Sequence, residues 1–168
     1  MAQPWPDKGS QEKGAGAVKY DLSKLNNFVN SIEGIRKMVV EVGVMAGTAR
    51  GNSENLKIGM AHEFGRFSGR PLRQRSFLRM PLNQKMESIV RTLRPVTAEL
   101  LMKGKFKQIM ELLGASCKGV VQEAFQTGGW GKWPKRGTPK HPDRDPGRQV
   151  LTKTGQLKSS IDYKVRSK

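Results

Sequence analysis

The stretch 105–126, KFKQIMELLGASCKGVVQEAFQ, decides how the rest of the chain is read. Phe106, Ile109, Met110, Leu113, Cys117, Val120, Val121, Ala124 and Phe125 follow at steps of three, one, three, four, three, one, three and one. That spacing predicts a helix of about six turns with a full apolar stripe. Gly114 and Gly119 interrupt it. Each costs about 1 kcal/mol against alanine in an exposed helix interior, so close packing of a neighbour is expected there.

Before this helix, SFLRM (76–80) reads as a brief extended segment, and Pro81 suits the first turn of a helix, where a missing N–H costs nothing. Leu82, Met86, Ile89, Val90 and Leu93 continue at helical spacing. Pro95 is expected to break or kink this helix, with 96–103 as a second piece. Further upstream, Asp21 is a good N-cap for a helix whose apolar face is Leu22, Leu25, Phe28, Val29 and Ile32, ending at Gly34. RKMVVEVGVM (36–45) is rich in β-branched residues, with Met38, Val40, Val42 and Val44 on one face of a strand. LKIGM (56–60) reads as a second, short strand, paired with the first as a hairpin with a long tip at 46–55.

After the helix, TGGWGKWPKRGTPKHPDRDPGRQV (127–150) holds four prolines and five glycines, which exclude a regular element. LTKTGQLKSS (151–160) carries a short helical turn, and IDYKV (161–165) alternates as a final strand. The expectation is an α+β fold, a small, mostly antiparallel sheet of three or four strands with two or three helices on one face. Residues 1–20 would be a flexible arm and 21–168 a single domain containing the long loop 127–150.

Composition bounds the function. Thirty-one basic against 14 acidic residues give a net charge of +17, which draws the chain to polyanions such as DNA, RNA or an acidic protein surface. The hydrophobic fraction of 36% is low, so some segments are expected to order only on a partner. One cysteine, Cys117, excludes an intrachain disulfide. No apolar run approaches the roughly 20 residues of a membrane span, and no membrane partner is expected. The opening MAQPWPDKGSQEKG lacks the apolar core of a signal peptide, and synthesis in a reducing cytoplasm is expected.

No catalytic, metal or cofactor site is expected. His62 and Glu63 are adjacent and diverge on any regular element; His141 lies in the proline-rich loop; two histidines and one cysteine make no spaced zinc site. Asp143 and Asp145 are too few for a metal-dependent nuclease, and GGWGKW lacks the ending of a phosphate-binding loop. The basic runs say more. Arg66, Arg70, Arg73, Arg75 and Arg79 fall in fourteen residues with no acid among them. Lys132, Lys135, Arg136, Lys140, Arg144 and Arg148 form a second run. The residues expected to face DNA or a neighbouring subunit are these five arginines with Lys132, Lys135 and Arg136. Trp5, Trp130 and Trp133 are expected as docking anchors. No standard motif for reading nucleic-acid sequence is present.

Taken in order, AHEFG (61–65), Arg70-Pro71, SFLRMPL (76–82), WPKRGTP (133–139) and LTKTGQLKSSIDYKV (151–165) form a recognisable series. The chain over about 35–165 resembles the tail-completion, or neck, proteins of tailed bacteriophages, often labelled virion morphogenesis or minor tail proteins. The closing signature is Leu151, Thr154, Gly155, Leu157, Ser160, Ile161, Tyr163 and Val165. Two departures stand out: RPLRQRSFLRMP carries an insertion between Arg-Pro and Phe-Leu-Arg, and the N-terminal arm is long and polar. The resemblance implies a structural virion protein, a ring of six copies at the head–tail junction. Its partners would be the head connector or adaptor proteins, the tail tube or tail terminator, and DNA passing without sequence preference through the lumen. The alternative is a free, non-specific nucleic-acid-binding protein; a basic nuclease is disfavoured by the missing acid–base groups.

Overall fold

The computed structural model describes residues 22–45, 52–66, 72–134 and 155–168. They form a helix-rich α+β fold in the order α1 (Ser23–Arg36), β1 (Met38–Val44), α2 (Asn52–Phe64), α3 (Arg79–Met102), α4 (Phe106–Thr127), α5 (Gln156–Ser159) and β2 (Ile161–Ser167).

The apolar stripe of 105–126 becomes the spine. Along α4, Ile109, Met110, Cys117, Val121, Ala124 and Phe125 are buried, and the helix lies against both strands and beside α3. Gly114 makes the approach to the sheet possible: a Cβ there would sit 2.2 Å from Cδ2 of Tyr163. Gly119 faces open space and needs no such account.

Among the described residues the sheet is a two-stranded antiparallel ribbon, where three or four strands were expected. β1 pairs with β2, at the other end of the chain, in the register Val40–Val165, Val42–Tyr163 and Val44–Ile161. These six residues carry the period-two pattern of both strands, so each strand's apolar face matches the sequence reading. On the opposite face Arg166 pairs diagonally with Glu41, its Nε donating over 2.9 Å.

LKIGM is the main correction. It is helical, lying within α2, and forms no hairpin with β1. Leu56, Ile58 and Met60 alternate in sequence, but in the helix Leu56 and Met60 are one turn apart, and the inward line is Asn55, Gly59 and Glu63. Gly59 seats α2 against Val44, Phe77 and Leu157. Short apolar runs do not distinguish strand from helix, and a helix with polar and small residues inward leaves no apolar periodicity to detect.

Two smaller differences concern helix ends. α3 runs unbroken through Pro95 for 24 residues. Pro95 is exposed, so the carbonyl that loses its N–H partner there is at the solvent side, where water can replace it. α1 passes through Gly34, where a Cβ would meet the Phe106 ring at 2.8 Å, and stops at Arg36. The Asp21 cap lies outside the described residues; the N-cap position is Leu22.

Candidate functional site

Three stretches far apart in sequence meet at the N-terminal end of α3. Leu78 occupies its N-cap and offers no capping side chain, so the first backbone N–H groups need partners from elsewhere. Glu63, at the end of α2, supplies them. Its Oε2 accepts from Phe77 N at 2.8 Å and Leu78 N at 3.0 Å, and its Oε1 from Arg79 N at 3.2 Å and Ser76 Oγ at 2.7 Å. Ser76 Oγ accepts in turn from Met80 N at 3.0 Å. Pro81 has no N–H, and Leu82 N donates to Leu78 O, so the helix start is fully satisfied. A carboxylate at a helix N-terminus is also favoured by the macrodipole. Glu63 carries no functional expectation from the sequence; the signal available there is a helix preceded by Ser-Phe-Leu, with no acid in its own first turn.

The arginine loop is closed by the same elements. Arg66 and Leu72 exchange backbone bonds of 3.0 and 2.8 Å, Arg75 N donates to His62 O, and Gln74 Nε2 donates to Glu63 O. The Arg75 side chain turns inward, is buried, and donates from Nε to Pro134 O at 3.0 Å. Trp133 is buried too. Its Nε1 donates to Ser76 O at 3.1 Å, and its ring meets Phe125 edge-on at 5.7 Å, while Phe125 meets Phe77 at 5.2 Å. Leu157 and Ile161, from the closing signature, complete this core. Thus segments 61–65, 76–82, 133–134 and 155–165, which carry the resemblance, pack as one unit.

Of the expected basic and tryptophan residues, Arg66, Arg73, Arg75, Arg79, Lys132, Trp130 and Trp133 fall among the described residues. Arg66, Arg73 and Arg79 are exposed, and so is Lys132. Arg75 and Trp133 are corrections: both are buried and bonded within the chain, to Pro134 O and Ser76 O, so they hold the loop and core together. Trp130 is half-buried and sits under the Lys85 ammonium, 4.9 Å from its ring centroid. Arg70, Lys135, Arg136 and Trp5 lie outside the described residues. The fold brings one residue of each basic run together: Arg79 and Lys132 line an open cleft of about 490 Å³ with Gln74, Asn83, Gln84 and Pro134. Met80 and an edge of Trp133 complete a lining that is part polar and part apolar, and its two cations attract anions without selecting a sequence.

His62 is joined to the arginine loop, its carbonyl accepting from Arg75 N at 2.8 Å. Burial, and next the charge of Arg75, lower its imidazole from 6.5 to about 4, so the ring is neutral near pH 7. Cys117 is buried in α4 and burial pushes its thiol up, which favours an inert small hydrophobe over a nucleophile. Among the described residues no group of three His, Cys, Asp or Glu could hold a metal ion, and no helix is long and apolar enough to cross a membrane.

The second surface feature is apolar. Of the apolar face read from the sequence, Phe28 is half-buried, while Leu22 at the N-cap and Leu25, Val29 and Ile32 of α1 are exposed. α1 is held instead through Ser31, whose hydroxyl lies 2.7 Å from Asn27 O and 3.1 Å from Leu101 O, and through Gly34 against Phe106. Leu56, Met60 and Phe64 of α2 are exposed as well. No family model, curated protein or solved structure matches the chain.

Proposed function

We propose that this protein is a structural subunit of a tailed-phage virion, a tail-completion or neck protein. Copies of it would form a ring, of six subunits, joining the tail to the head connector around the DNA channel. The observation that carries the reading is the exposed apolar surface on α1 and α2 of a strongly basic chain. Monomeric soluble proteins rarely leave contiguous apolar patches uncovered, and such patches mark protein contacts. Supporting it, the described parts of the motifs that carry the resemblance, 61–65, 76–82, 133–134 and 155–165, pack on a single core, as a shared fold would require.

In this reading the cleft of Arg79 and Lys132 faces phosphates of passing DNA or an acidic patch on a neighbour. The arm 1–20 and the loop 127–150 would add contacts on adjacent subunits or on the head and tail proteins. Further strands of the sheet would have to come from outside the described residues. The test is genetic and biochemical together. Particles made without this chain should accumulate as filled heads and separate tails, and the purified protein should join them in vitro. Joined, infectious particles formed in its absence would contradict the proposal.

A second reading, free non-specific binding to nucleic acid, is favoured by the charge of +17. It would show as tight binding by a lone monomer or dimer, lost steeply with salt.

A further inference from the structure

The two apolar stripes are carried by helices fastened to opposite ends of α3. α1 is fastened to the C-terminal end of α3 by Ser31 on Leu101 O. α2 is fastened to its N-terminal end by Glu63 on Phe77, Leu78 and Arg79. From Arg79 to Leu101 the helix rises about 33 Å at 1.5 Å per residue. On α1, Leu22, Leu25, Val29 and Ile32 step by three, four and three, and are 40–56% exposed. On α2, Leu56, Met60 and Phe64 step by four, and are 50–58% exposed. Inward, α1 turns Ser31 and Gly34 beside the half-buried Phe28 and Ile35, and α2 turns Asn55, Gly59 and Glu63.

We infer that the α1 stripe of one copy docks on the α2 stripe of the next, head to tail. This deepens the ring reading and rests on it. Patches so far apart on a rigid body cannot cover each other within one chain. Different patches at two ends make a heterologous contact, which propagates and closes into a ring when the rotation permits. Each stripe offers roughly 300 Å² of apolar area, so a pair supplies the dry centre of a standard interface of about 1,600 Å² in total once polar rims are added. The contact is helix on helix, with side chains four apart on one seam entering the gaps of the other. Two copies of a chain of charge +17 repel at long range, so salt strengthens this association by screening, the opposite of its effect on phosphate binding.

The test uses the full chain and two blocking variants, Val29→Asp and Met60→Asp, both at exposed positions. Circular dichroism and thermal unfolding first establish that each folds. Native mass spectrometry and sedimentation at high salt then read assembly. Wild type is expected to form closed oligomers, and each variant alone to weaken association at least 100-fold. Mixing the two variants restores one intact α1–α2 pair per couple, so a 1:1 dimer that grows no further is expected. Leu25→Gln with Phe64→Gln is the gentler pair and should give the same pattern. A wild type that stays monomeric, variants that still assemble, or a mixture that stays monomeric would each overturn the pairing. Self-dimers of Met60→Asp alone would do so too, because they would place α1 against α1. These results do not decide the ring reading itself, which stands or falls on whether the chain occupies the head–tail junction.

Discussion

Removing the Glu63 carboxylate should cost more than any other single surface-to-core change at the helix start. In Glu63→Ala, the N–H of Phe77 is left buried without a partner, at about 2 kcal/mol. The N–H groups of Leu78 and Arg79 are part-buried and can turn to water, at about 0.5 kcal/mol each. Loss of the negative charge from the α3 N-terminus adds about 0.5–1 kcal/mol. The sum is about 4 kcal/mol, or a fall in Tm of about 10–15 °C for a domain of this size. Glu63→Gln keeps the shape and one acceptor oxygen but turns an amide toward donors, so about 2 kcal/mol is expected. Urea unfolding followed by tryptophan fluorescence measures both, because Trp133 is bonded to Ser76 beside the cap. An unchanged m-value would keep the comparison two-state. A cost below about 1 kcal/mol for Glu63→Ala would refute the assignment of this carboxylate as the cap of α3.

Gly114→Ala removes a helix-weakening glycine but drives a methyl to within 2.2 Å of the Tyr163 ring. Overpacking of this kind costs about 1–3 kcal/mol, so thermal unfolding should show net destabilisation, and Tyr163→Val in the same chain should recover most of it. The neutral His62 imidazole is favoured in the fold, so the unfolded chain takes up the extra proton between pH 6.5 and about 4. Stability should fall as pH drops through that window and level off below it, by about 1–2 kcal/mol after allowing for solvent at the part-exposed ring. His62→Gln should flatten that part of the pH–stability curve, and an unchanged slope would remove His62 as its source. Arg79→Ala and Lys132→Ala should each lower the slope of log affinity for duplex DNA against log salt by about 1, read by fluorescence anisotropy across a salt series. An unaltered slope would turn the cleft away from phosphate.

Helix α4 is legible in the sequence because its burial is apolar and periodic over its length, against the sheet and α3, with Gly114 the one buried break in the stripe. The faces of β1 and β2 are legible for the same reason, while their pairing is not: period two fixes which side chains share a face and leaves open which strand lies alongside. α2 is hidden because its inward residues are Asn55, Gly59 and Glu63. α1 misleads in the complementary way, since its apolar stripe is real but belongs to the surface of the single chain. Of the candidate site, the exposed Arg79 and Lys132 follow from charge runs alone. The inward turn of Arg75 and the burial of Trp133 do not, because each depends on a long-range partner, Pro134 O for one and Ser76 O for the other. The cap by Glu63 spans fourteen residues or more to its backbone donors, beyond the reach of local pattern.

The central claim is that copies of this chain sit between head and tail. Electron cryo-microscopy of intact particles, or of neck complexes purified from lysates, tests it directly. The account predicts a ring between connector and tail tube into which α3, α4 and the β1–β2 ribbon fit as a rigid unit, with Arg79 and Lys132 toward phosphate or an acidic neighbour. Particles with a complete head–tail junction and no density for this chain would contradict it.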